Sequence, residues 1–409
     1  MAKEEACAIN ECARHKDIKG CELCSCMCTG YGRVCPCAKK VAEHRAAKAT
    51  AALYKGSLLF QQPPLFHFFR HDQLLIGKKL GAGGFCQVHQ VTLGAGDDDE
   101  AEDAQRYAIK FLKKTTMVDK HLYLQGAADL AVEASFLAAL SNDSDNKYIV
   151  KLRGISDGKV ATTAGGFEER EIFVIMDQLE DTLDRRIYQT WKVDQEAHSG
   201  VMNSLTRVSQ DFQKKRLEAL TERLKVALEV AEAMQYLHAW KVVYRDLKPQ
   251  NVGFDKDGVL KLYDFGLATE LKHPPENGKY ELTGGAGSIR YMAPEVALGD
   301  PYDSSVDVYS FGILLYEVTS LRKPFEGYDA NAHMQQVVLA GERPHLPYWF
   351  PEALHVLIET CWAQDSAERP PFQEIVEALA PLVEVEREDA PQAASLLKSL
   401  SDLSYEVFD

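Results

Sequence analysis

The stretch "VVYRDLKPQN", residues 242 to 251, constrains the fold more than any other part of this chain. Its proline and its closely spaced polar side chains make it a poor helix and a poor strand. It is typical of a tight loop after a short apolar, strand-like run. Such a loop would direct a carboxylate, a cation and a carboxamide to one spot: Asp246, Lys248 and Asn251. The sequence therefore predicts a polar site at this loop.

The balance of charge excludes several classes of partner. The 409 residues carry a formal net charge of -15, and 46% of them are hydrophobic, which is ordinary for a globular protein. Nonspecific binding to nucleic acid or to an anionic membrane needs a cationic surface, so we expect neither. No apolar run approaches the ~20 residues that span a bilayer, and the first residues lack a secretory signal. A cytoplasmic setting is the resulting expectation.

The cysteines are concentrated in an N-terminal head, residues 1–60. Eight of the ten lie before residue 40, with spacings such as "CELCSCMC" that do not match a pair of CxxC knuckles. One hypothesis is that these thiolates bind zinc or copper(I), with His15 or His44 as further ligands. A redox-sensitive or lipid-modified segment is an alternative. The irregular spacing favours a disordered tail.

The pattern of secondary structure changes along the chain. The stretch "QLLIGKKLGAGGFCQVHQVTL" predicts two strands around a glycine turn, and "RYAIKFL", "YIVKL" and "EIFVIMDQL" predict further strands. One short amphipathic helix, "LAVEASFLAAL", interrupts them. From residue 216 onward apolar residues recur mostly at helical spacing, after an irregular polar insertion at 190–215. We therefore predict an α+β fold, with a β-rich lobe containing one helix followed by a larger helical lobe.

Two apolar elements of the β-rich half each carry one charged residue. Lys110 ends the strand "YAIK", and Glu133 lies on the alanine-rich face of the helix that follows. Burial of either charge alone would be costly, so the sequence predicts an ion pair between them. Farther along, Asp264 follows a strand in "KLYDFGLA". Its oxygens and those of Asn251 are hard ligands that suit Mg²⁺.

Together these motifs resemble a eukaryotic protein kinase. They occur in family order between residues 70 and 385: "GAGGFCQV", "YAIK", Glu133, "YRDLKPQN", "DFG", "APE", "DVYSFG" and "ERPPF". The resemblance implies a two-lobed kinase fold over 70–385, followed by a tail at 386–409. It also implies transfer of the γ-phosphate of ATP to protein substrates, with Mg²⁺ as cofactor.

The resemblance also implies individual roles. Asp246 would accept or orient the proton of the substrate hydroxyl, and Lys248 would neutralise the transferred group. Lys110 would contact the phosphates of ATP and pair with Glu133, while Asn251 and Asp264 would hold the metal. The remaining residues implied to surround ATP are Gly81, Ala82, Gly83, Gly84, Phe85, Val88, Ala108, Met176, Asp177 and Leu179. The resemblance further implies a structural ion pair between Glu295 and Arg369. It also implies that Asp307 anchors a stacked set of side chains that includes Tyr244.

The nature of the acceptor hydroxyl follows from the same resemblance. Lys248 is typical of Ser/Thr kinases, and Ser288 stands where such kinases carry a threonine at the substrate site. The stretches "VDVYSFGILLYEV" and "CWAQDSAERPPF" resemble the tyrosine-kinase-like group. We interpret the chain as a Ser/Thr kinase of that group, with dual specificity left open.

Three positions depart from the family pattern: Cys86, Tyr244 and Gly253. Cys86 replaces the last glycine of the turn, where its thiol is either a buried filler or a modifiable group. None of the three removes a catalytic side chain. A nucleotide-binding scaffold without activity is the alternative hypothesis. Regulation is implied at Arg245, which in the family often receives an activation-loop phosphate. Of the candidates Thr283, Tyr280 and Thr269, Thr283 lies closest to the usual position, which points to an upstream activating kinase.

Overall fold

The computed structural model describes residues 46–61, 65–93, 106–113, 120–141, 146–157, 172–195, 210–273, 275–276 and 278–384. The cysteines of the head, the acidic stretch 96–103 and the tail 386–409 lie outside these residues. Two compact units divide the described chain. The first contains the described residues before 146, with Val150–Leu179 and Asp264–Gly266. The second contains Asn146–Ile149, Glu180–Tyr263 and the described residues from Leu267 onward.

A six-stranded sheet forms most of the first unit. The strands are β1 (Phe68–Phe69), β2 (Leu74–Ala82), β3 (Cys86–Leu93), β4 (Arg106–Leu112), β5 (Leu152–Ser156) and β6 (Phe173–Asp177). Their spatial order is β1-β5-β6-β4-β3-β2, and every pairing is antiparallel except the parallel contact of β1 with β5. This confirms the β-rich lobe, while the short β1 carried no signal in the sequence.

Alternation of apolar residues explains which face of this sheet is buried. Side chains that point to the same face form one core cluster: Leu74, Val91, Ile109, Phe111, Phe173 and Ile175. The register pairs Val88 with Lys110 and Ala108 with Met176. Three adjacent strands thus bring together residues that the sequence predicts around ATP.

Among the described residues of the first unit, two α-helices accompany the sheet. Residues 46–54 form α1, and Lys120–Leu140 form α2. The sequence predicts only the second half of α2, because Gly126 and nearby polar residues interrupt the apolar run before it. The prediction also assigned no regular structure to the head, whereas α1 is a helix.

The strand predicted at "YIVKL" begins later than expected. Strand β5 starts at Leu152, where it pairs with β6. Within the second unit, Ile149 forms an isolated bridge with Leu262. The apolar run therefore divides between two pairing partners, which a local pattern does not reveal.

Helices dominate the second unit, as predicted. They are α3 (Leu183–Arg185, continuing as a π-helix over Arg186–Trp191), α4 (Gln210–Ala239), α5 (Pro294–Leu298), α6 (Ser305–Ser320), α7 (Ala330–Ala332, continuing as a π-helix over His333–Leu339), α8 (Glu352–Cys361) and α9 (Phe372–Glu384). The prediction of an irregular insertion at 190–215 is wrong at both ends. Helical structure extends to residue 195 and resumes at Gln210, because Gln, Lys and Arg are good helix formers even without an apolar stripe.

Short strands flank the loop that contains Asp246, Lys248 and Asn251. β8 (Val242–Val243) pairs with β11 (Thr269–Glu270), and β9 (Val252–Phe254) lies between β7 (Asp181–Thr182) and β10 (Leu260–Leu262). The loop is therefore fixed at both ends by paired strands. Among the described residues, no helix has the length and apolar character needed to cross a membrane.

Candidate active site

The first unit contains a buried cation between two carboxylates. Lys110 Nζ lies 2.7 Å from Glu133 Oε2 and 2.8 Å from Asp264 Oδ1. The side chains of Lys110 and Glu133 are only 12% and 2% exposed. The ion pair predicted between strand and helix is therefore confirmed, and Asp264 of the "DFG" motif joins it.

Burial and charge act in opposite directions on these groups. Burial by itself lowers the pKa of Lys110, but the carboxylates of Glu133 and Asp264 more than offset it and hold that pKa above its ordinary value. Burial raises the pKa of Glu133 to about 7, although Lys110 opposes the shift. The second oxygen, Glu133 Oε1, is buried without a hydrogen-bond partner among the described residues. The pair is thus held in place by packing as well as by attraction.

Sequence reasoning missed a third carboxylate near this lysine. Asp129 lies one turn before Glu133 on α2 and accepts a hydrogen bond from Gln125 at 2.7 Å. Burial raises the pKa of Asp129 to about 6, with Gln125 and Lys110 opposing. Its spacing of four residues from Glu133 is the signal that could have found it, since i and i+4 share a helix face.

The glycine turn joins β2 to β3 and is open on its outer side. The Gly83 N–H donates to the Cys86 carbonyl at 2.9 Å and closes the turn. A Cβ atom at Gly81, Gly83 or Gly84 would meet nothing within 4 Å. Packing therefore does not explain why these positions are glycine.

Cys86, the first residue of β3 after this turn, is a buried free thiol. Burial raises its pKa to about 12, and the nearby Lys110 only partly opposes the shift. Because the thiolate is the reactive form, this environment favours the buried filler over the modifiable thiol.

We expect Cys86 to react with N-ethylmaleimide at pH 8 on the order of 100-fold more slowly in the folded protein than in denaturant, since little thiolate is present and access is restricted. Peptide mass spectrometry after timed quenching isolates Cys86 from the cysteines of the head. Equal labelling rates in the folded and denatured protein would show that the thiol is reactive.

The other residues predicted around ATP lie on β3, β4 and β6 or just after β6. Ala108 and Met176 are buried partners, and Val88 is half-buried. The Asp177 carboxylate forms a bidentate salt bridge with Arg153, at 2.5 and 3.0 Å. This side chain is therefore already paired within the first unit. Leu179, half-buried, follows in the segment after β6.

In the second unit, Asp307 anchors the loop that follows β8. Its carboxylate, fully buried in the first turn of α6, accepts the N–H groups of Tyr244 and Arg245, both at 2.8 Å. His238 lies 2.9 Å from the same carboxylate. Arg245 has a positive φ of 65°, which is a strained conformation, and the backbone hydrogen bonds to Asp307 stabilise it. Asp307 thus holds the backbone at Tyr244, one residue of the stack that the resemblance implies.

Asp246 is surrounded by polar partners. Lys248 Nζ donates to its Oδ2 at 2.6 Å and Asn251 Nδ2 donates to the same oxygen at 2.9 Å. Ser288 Oγ donates to Oδ1 at 2.8 Å, and Lys248 also contacts that hydroxyl at 2.7 Å. The structure thus brings together the three side chains predicted from the loop and adds Ser288 from a distant segment.

A close approach of two backbone segments delivers Ser288 to this loop. Gly287 has a φ of 106°, and a Cβ there would lie 2.4 Å from the Arg245 carbonyl oxygen. Only glycine fits both conditions. The sequence contains the glycine but nothing that reveals which backbone it approaches.

Arg245 also extends toward the predicted regulatory segment. Its guanidinium donates to the Leu267 carbonyl at 2.6 Å and to the Tyr302 hydroxyl at 3.2 Å. Tyr302 in turn donates to the backbone carbonyl of Thr283 at 3.0 Å. Thr283 is exposed, and two hydrogen bonds through Tyr302 connect its backbone to Arg245. The bridging residue, Tyr302, had no signal in the sequence.

Glu317, buried on α6, supports the segment after Ser288. It accepts hydrogen bonds from the hydroxyls of Tyr291, at 2.6 Å, and Tyr188. Burial raises the pKa of Glu317 from 4.5 to about 7, while the two tyrosines oppose the shift.

This shift predicts how stability depends on pH. The folded-state pKa lies above the unfolded-state value, so the folded chain binds more protons between about pH 4.5 and 7. The contribution of Glu317 is therefore greatest at low pH and is lost as the pH rises toward 7. We expect denaturant unfolding to show the advantage of wild type over Glu317→Gln shrinking from pH 5 to pH 7.5. Glu359→Gln, an exposed change, is the control, and an advantage that grows with pH would contradict the assignment.

The ion pair implied between Glu295 and Arg369 is confirmed. Arg369 Nη1 and Nη2 lie 2.5 and 3.0 Å from the two carboxylate oxygens, and the arginine side chain is fully buried. Further bonds run from Arg369 to the carbonyls of Ala363 and Ser305. This pair ties α5 to the segment before α9.

Comparison with known proteins agrees with this geometry. The family model described as "Protein tyrosine and serine/threonine kinase" matches residues 74–379, about three quarters of the chain. The chain belongs to this family, which confirms the resemblance and the two-lobed fold inferred from the motifs. Members of the family use ATP with Mg²⁺.

Curated relatives carry related names. The serine/threonine/tyrosine-protein kinase HT1 of Arabidopsis thaliana is 38% identical over 181 residues, 43% of this chain and 44% of that protein. The serine/threonine-protein kinase STY17 of the same plant is 40% identical over 160 residues, 39% of this chain and 27% of that protein. The mouse vascular endothelial growth factor receptor 2 is 27% identical over 365 residues, 83% of this chain and 27% of the receptor. The chain thus spans less than half the length of these relatives.

Proposed function

We propose that this chain is a protein kinase that transfers the γ-phosphate of ATP, with Mg²⁺, to Ser and Thr hydroxyls of protein substrates. The observation that carries the proposal is the set of hydrogen bonds that fixes the Asp246 carboxylate. A carboxylate held in one orientation beside a lysine is suited to receive a proton from a hydroxyl and to stabilise the group that the hydroxyl attacks.

The residues present fit ATP and its metal. Open space above the glycine turn and the charge of Lys110 suit phosphate oxygens. Asn251 uses its Nδ2 in bonds to Asp246, which leaves its amide oxygen out of these bonds, and Asp264 offers carboxylate oxygen. These are the donors that Mg²⁺ prefers, and the bound ion would neutralise phosphate charge.

Each catalytic side chain then has a stated task. Asp246 accepts or orients the proton of the acceptor hydroxyl. Lys248 places positive charge next to that carboxylate and next to Ser288. Glu133 orients Lys110 for phosphate binding. Most of the rate enhancement in such a site comes from position and from charge complementarity.

The preference for Ser and Thr rests on Ser288. Its hydroxyl forms hydrogen bonds with both Asp246 and Lys248. It therefore connects the segment that would bind the substrate to the loop that contains Asp246. Lys248 and Ser288 are the two residues that the resemblance associates with Ser/Thr kinases. Dual specificity is the second candidate, because one relative is named a serine/threonine/tyrosine-protein kinase and another a dual specificity protein kinase.

Phosphoamino-acid analysis tests the acceptor. The purified full chain would receive γ-labelled ATP and three matched peptide pools that differ only in a central Ser, Thr or Tyr. We expect label on Ser and Thr, and label on Tyr lower by on the order of 100-fold. Comparable label on Tyr would establish dual specificity. ATP binding without any transfer would leave the scaffold hypothesis instead.

Regulation by an upstream kinase is part of the proposal. Phosphate on Thr283 would add negative charge near Arg245, to which its backbone is already linked through Tyr302. We expect the phosphorylated chain to be about 10-fold more active and Thr283→Ala to lose that gain. Thr190→Ala, at another exposed threonine of the second unit, is the matched control. Full activity of Thr283→Ala, with no phosphate found at this residue by mass spectrometry, would remove Thr283 from the regulatory role.

A cytoplasmic setting is also proposed for the chain. Cys86 and Cys361 are free thiols, which fits a reducing cytoplasm. The role of the cysteines in the head, residues 1–60, stays a prediction, with metal binding by their thiolates as one hypothesis. Zinc at a fixed ratio in the purified full chain, lost on deletion of residues 1–45, would favour the metal.

A further inference from the structure

A buried aromatic residue outside the family match contacts the helix that carries Glu133. Phe60 is only 2% exposed, and its ring lies edge-on to Phe136 of α2 with centroids 5.1 Å apart. Tyr54, at the end of α1, packs edge-on against Phe60 at 5.6 Å. The family match begins at residue 74, so the segment 46–60 precedes it.

The local backbone directs Phe60 to this position. Gly56 ends α1 with a φ of 69°, the left-handed conformation that glycine favours at a helix C-terminus. Ser57 Oγ then accepts the Phe60 N–H at 2.6 Å. These two features turn the chain after α1 and direct the ring of Phe60 toward α2.

Phe136 connects this contact to the catalytic residues. It also stacks with Phe265 of the "DFG" motif, with centroids 6.4 Å apart, and both rings are fully buried. Glu133 lies three residues earlier on the same helix and pairs with Lys110. Because one Glu133 oxygen has no partner, the location of this carboxylate depends on how α2 is packed.

We infer that Phe60 is a positioning residue, which holds α2 where Glu133 pairs with Lys110 and Phe265 stays stacked. The last part of the head, residues 46–60, is then a functional part of the kinase. The effect on phosphoryl transfer rests on the proposed function, whereas the effect on α2 does not.

The test compares Phe60→Ala and Phe60→Leu in the full chain. Loss of a buried ring leaves a cavity beside Phe136, while leucine refills part of it. Leu65→Ala, at a side chain 93% exposed, controls for loss of an apolar group nearby. Leu379→Ala, buried on α9 in the second unit, controls for general loss of stability.

Two independent readouts are used below the unfolding transition. For Phe60→Ala we expect amide hydrogen exchange across 120–140 to be faster and the kcat for peptide phosphorylation to fall, each on the order of 10-fold. Phe60→Leu should recover most of both losses. Leu65→Ala should change neither, and Leu379→Ala should leave exchange in 120–140 unchanged.

Each outcome decides the inference. Unchanged exchange in 120–140 for Phe60→Ala overturns it, whatever the activity. Faster exchange with unchanged kcat also overturns it, since the helix would then move without consequence for transfer. A wild-type chain that transfers no phosphate would refute the proposed function, yet exchange would still decide whether Phe60 holds α2.

Discussion

Asp246→Asn is expected to lower the rate of phosphoryl transfer by on the order of 1,000-fold while the fold stays intact. The carboxamide is nearly isosteric, so the partners that surround Asp246 can remain, although the bonds to Oδ2 from Lys248 and Asn251 lose an anionic acceptor. What disappears is the group that receives the hydroxyl proton. The measurement is kcat for a Ser peptide, with fluorescence titration to show that ATP still binds.

Asp257→Asn is the matched control, because it makes the same chemical change at an exposed site of the second unit. Its kcat should equal that of wild type. Lys110→Met should also abolish transfer, but through weakened binding of ATP. If Asp246→Asn retained more than about a tenth of wild-type kcat, Asp246 would not be the proton acceptor.

Arg369→Met is expected to lower the free energy of unfolding by about 3–5 kcal/mol, the usual cost of removing one partner of a buried ion pair. The guanidinium bonds to both oxygens of Glu295 and to backbone carbonyls, and its side chain is fully buried. Methionine fills much of the volume but leaves Glu295 and the carbonyls without their donor. Urea unfolding followed by circular dichroism measures the change.

A double substitution separates charge from packing. With Glu295→Gln added to Arg369→Met, no uncompensated carboxylate is left, and part of the lost stability should return. Lys214→Met removes a lysine from an exposed pair with Glu218 and should change stability little. An Arg369→Met effect no larger than that of Lys214→Met would contradict the structural importance of the pair.

Local patterns predicted what depends on neighbouring residues. The hairpin around the glycine turn follows from alternation and from its glycines, and the structure has it at Leu74–Ala82 and Cys86–Leu93. The pair between Lys110 and Glu133 followed from the cost of burying either charge alone, and it is confirmed at 2.7 Å. Both arguments need only the chemistry of the residues themselves.

Contacts between distant segments were beyond such reasoning. Ser288 reaches Asp246 across more than forty residues because Gly287 permits a close backbone approach, and no spacing rule reveals this. Tyr302 and Phe60 are similar cases, in which one aromatic residue in an unremarkable stretch joins separate segments. The sequence predicts only the second half of α2, because Gly126 and the polar residues around it obscure the stripe of Tyr123, Leu124 and Ala127 that the structure buries.

The most direct measurement is transfer of label from γ-labelled ATP by the purified full chain with Mg²⁺, beside Asp246→Asn prepared in the same way. Both proteins would first be treated with candidate activating kinases, which are then removed. We expect wild type, but not Asp246→Asn, to place label on Ser or Thr of the protein itself and of a peptide substrate. Equal label with both proteins, or none with a wild type that binds ATP, would contradict it.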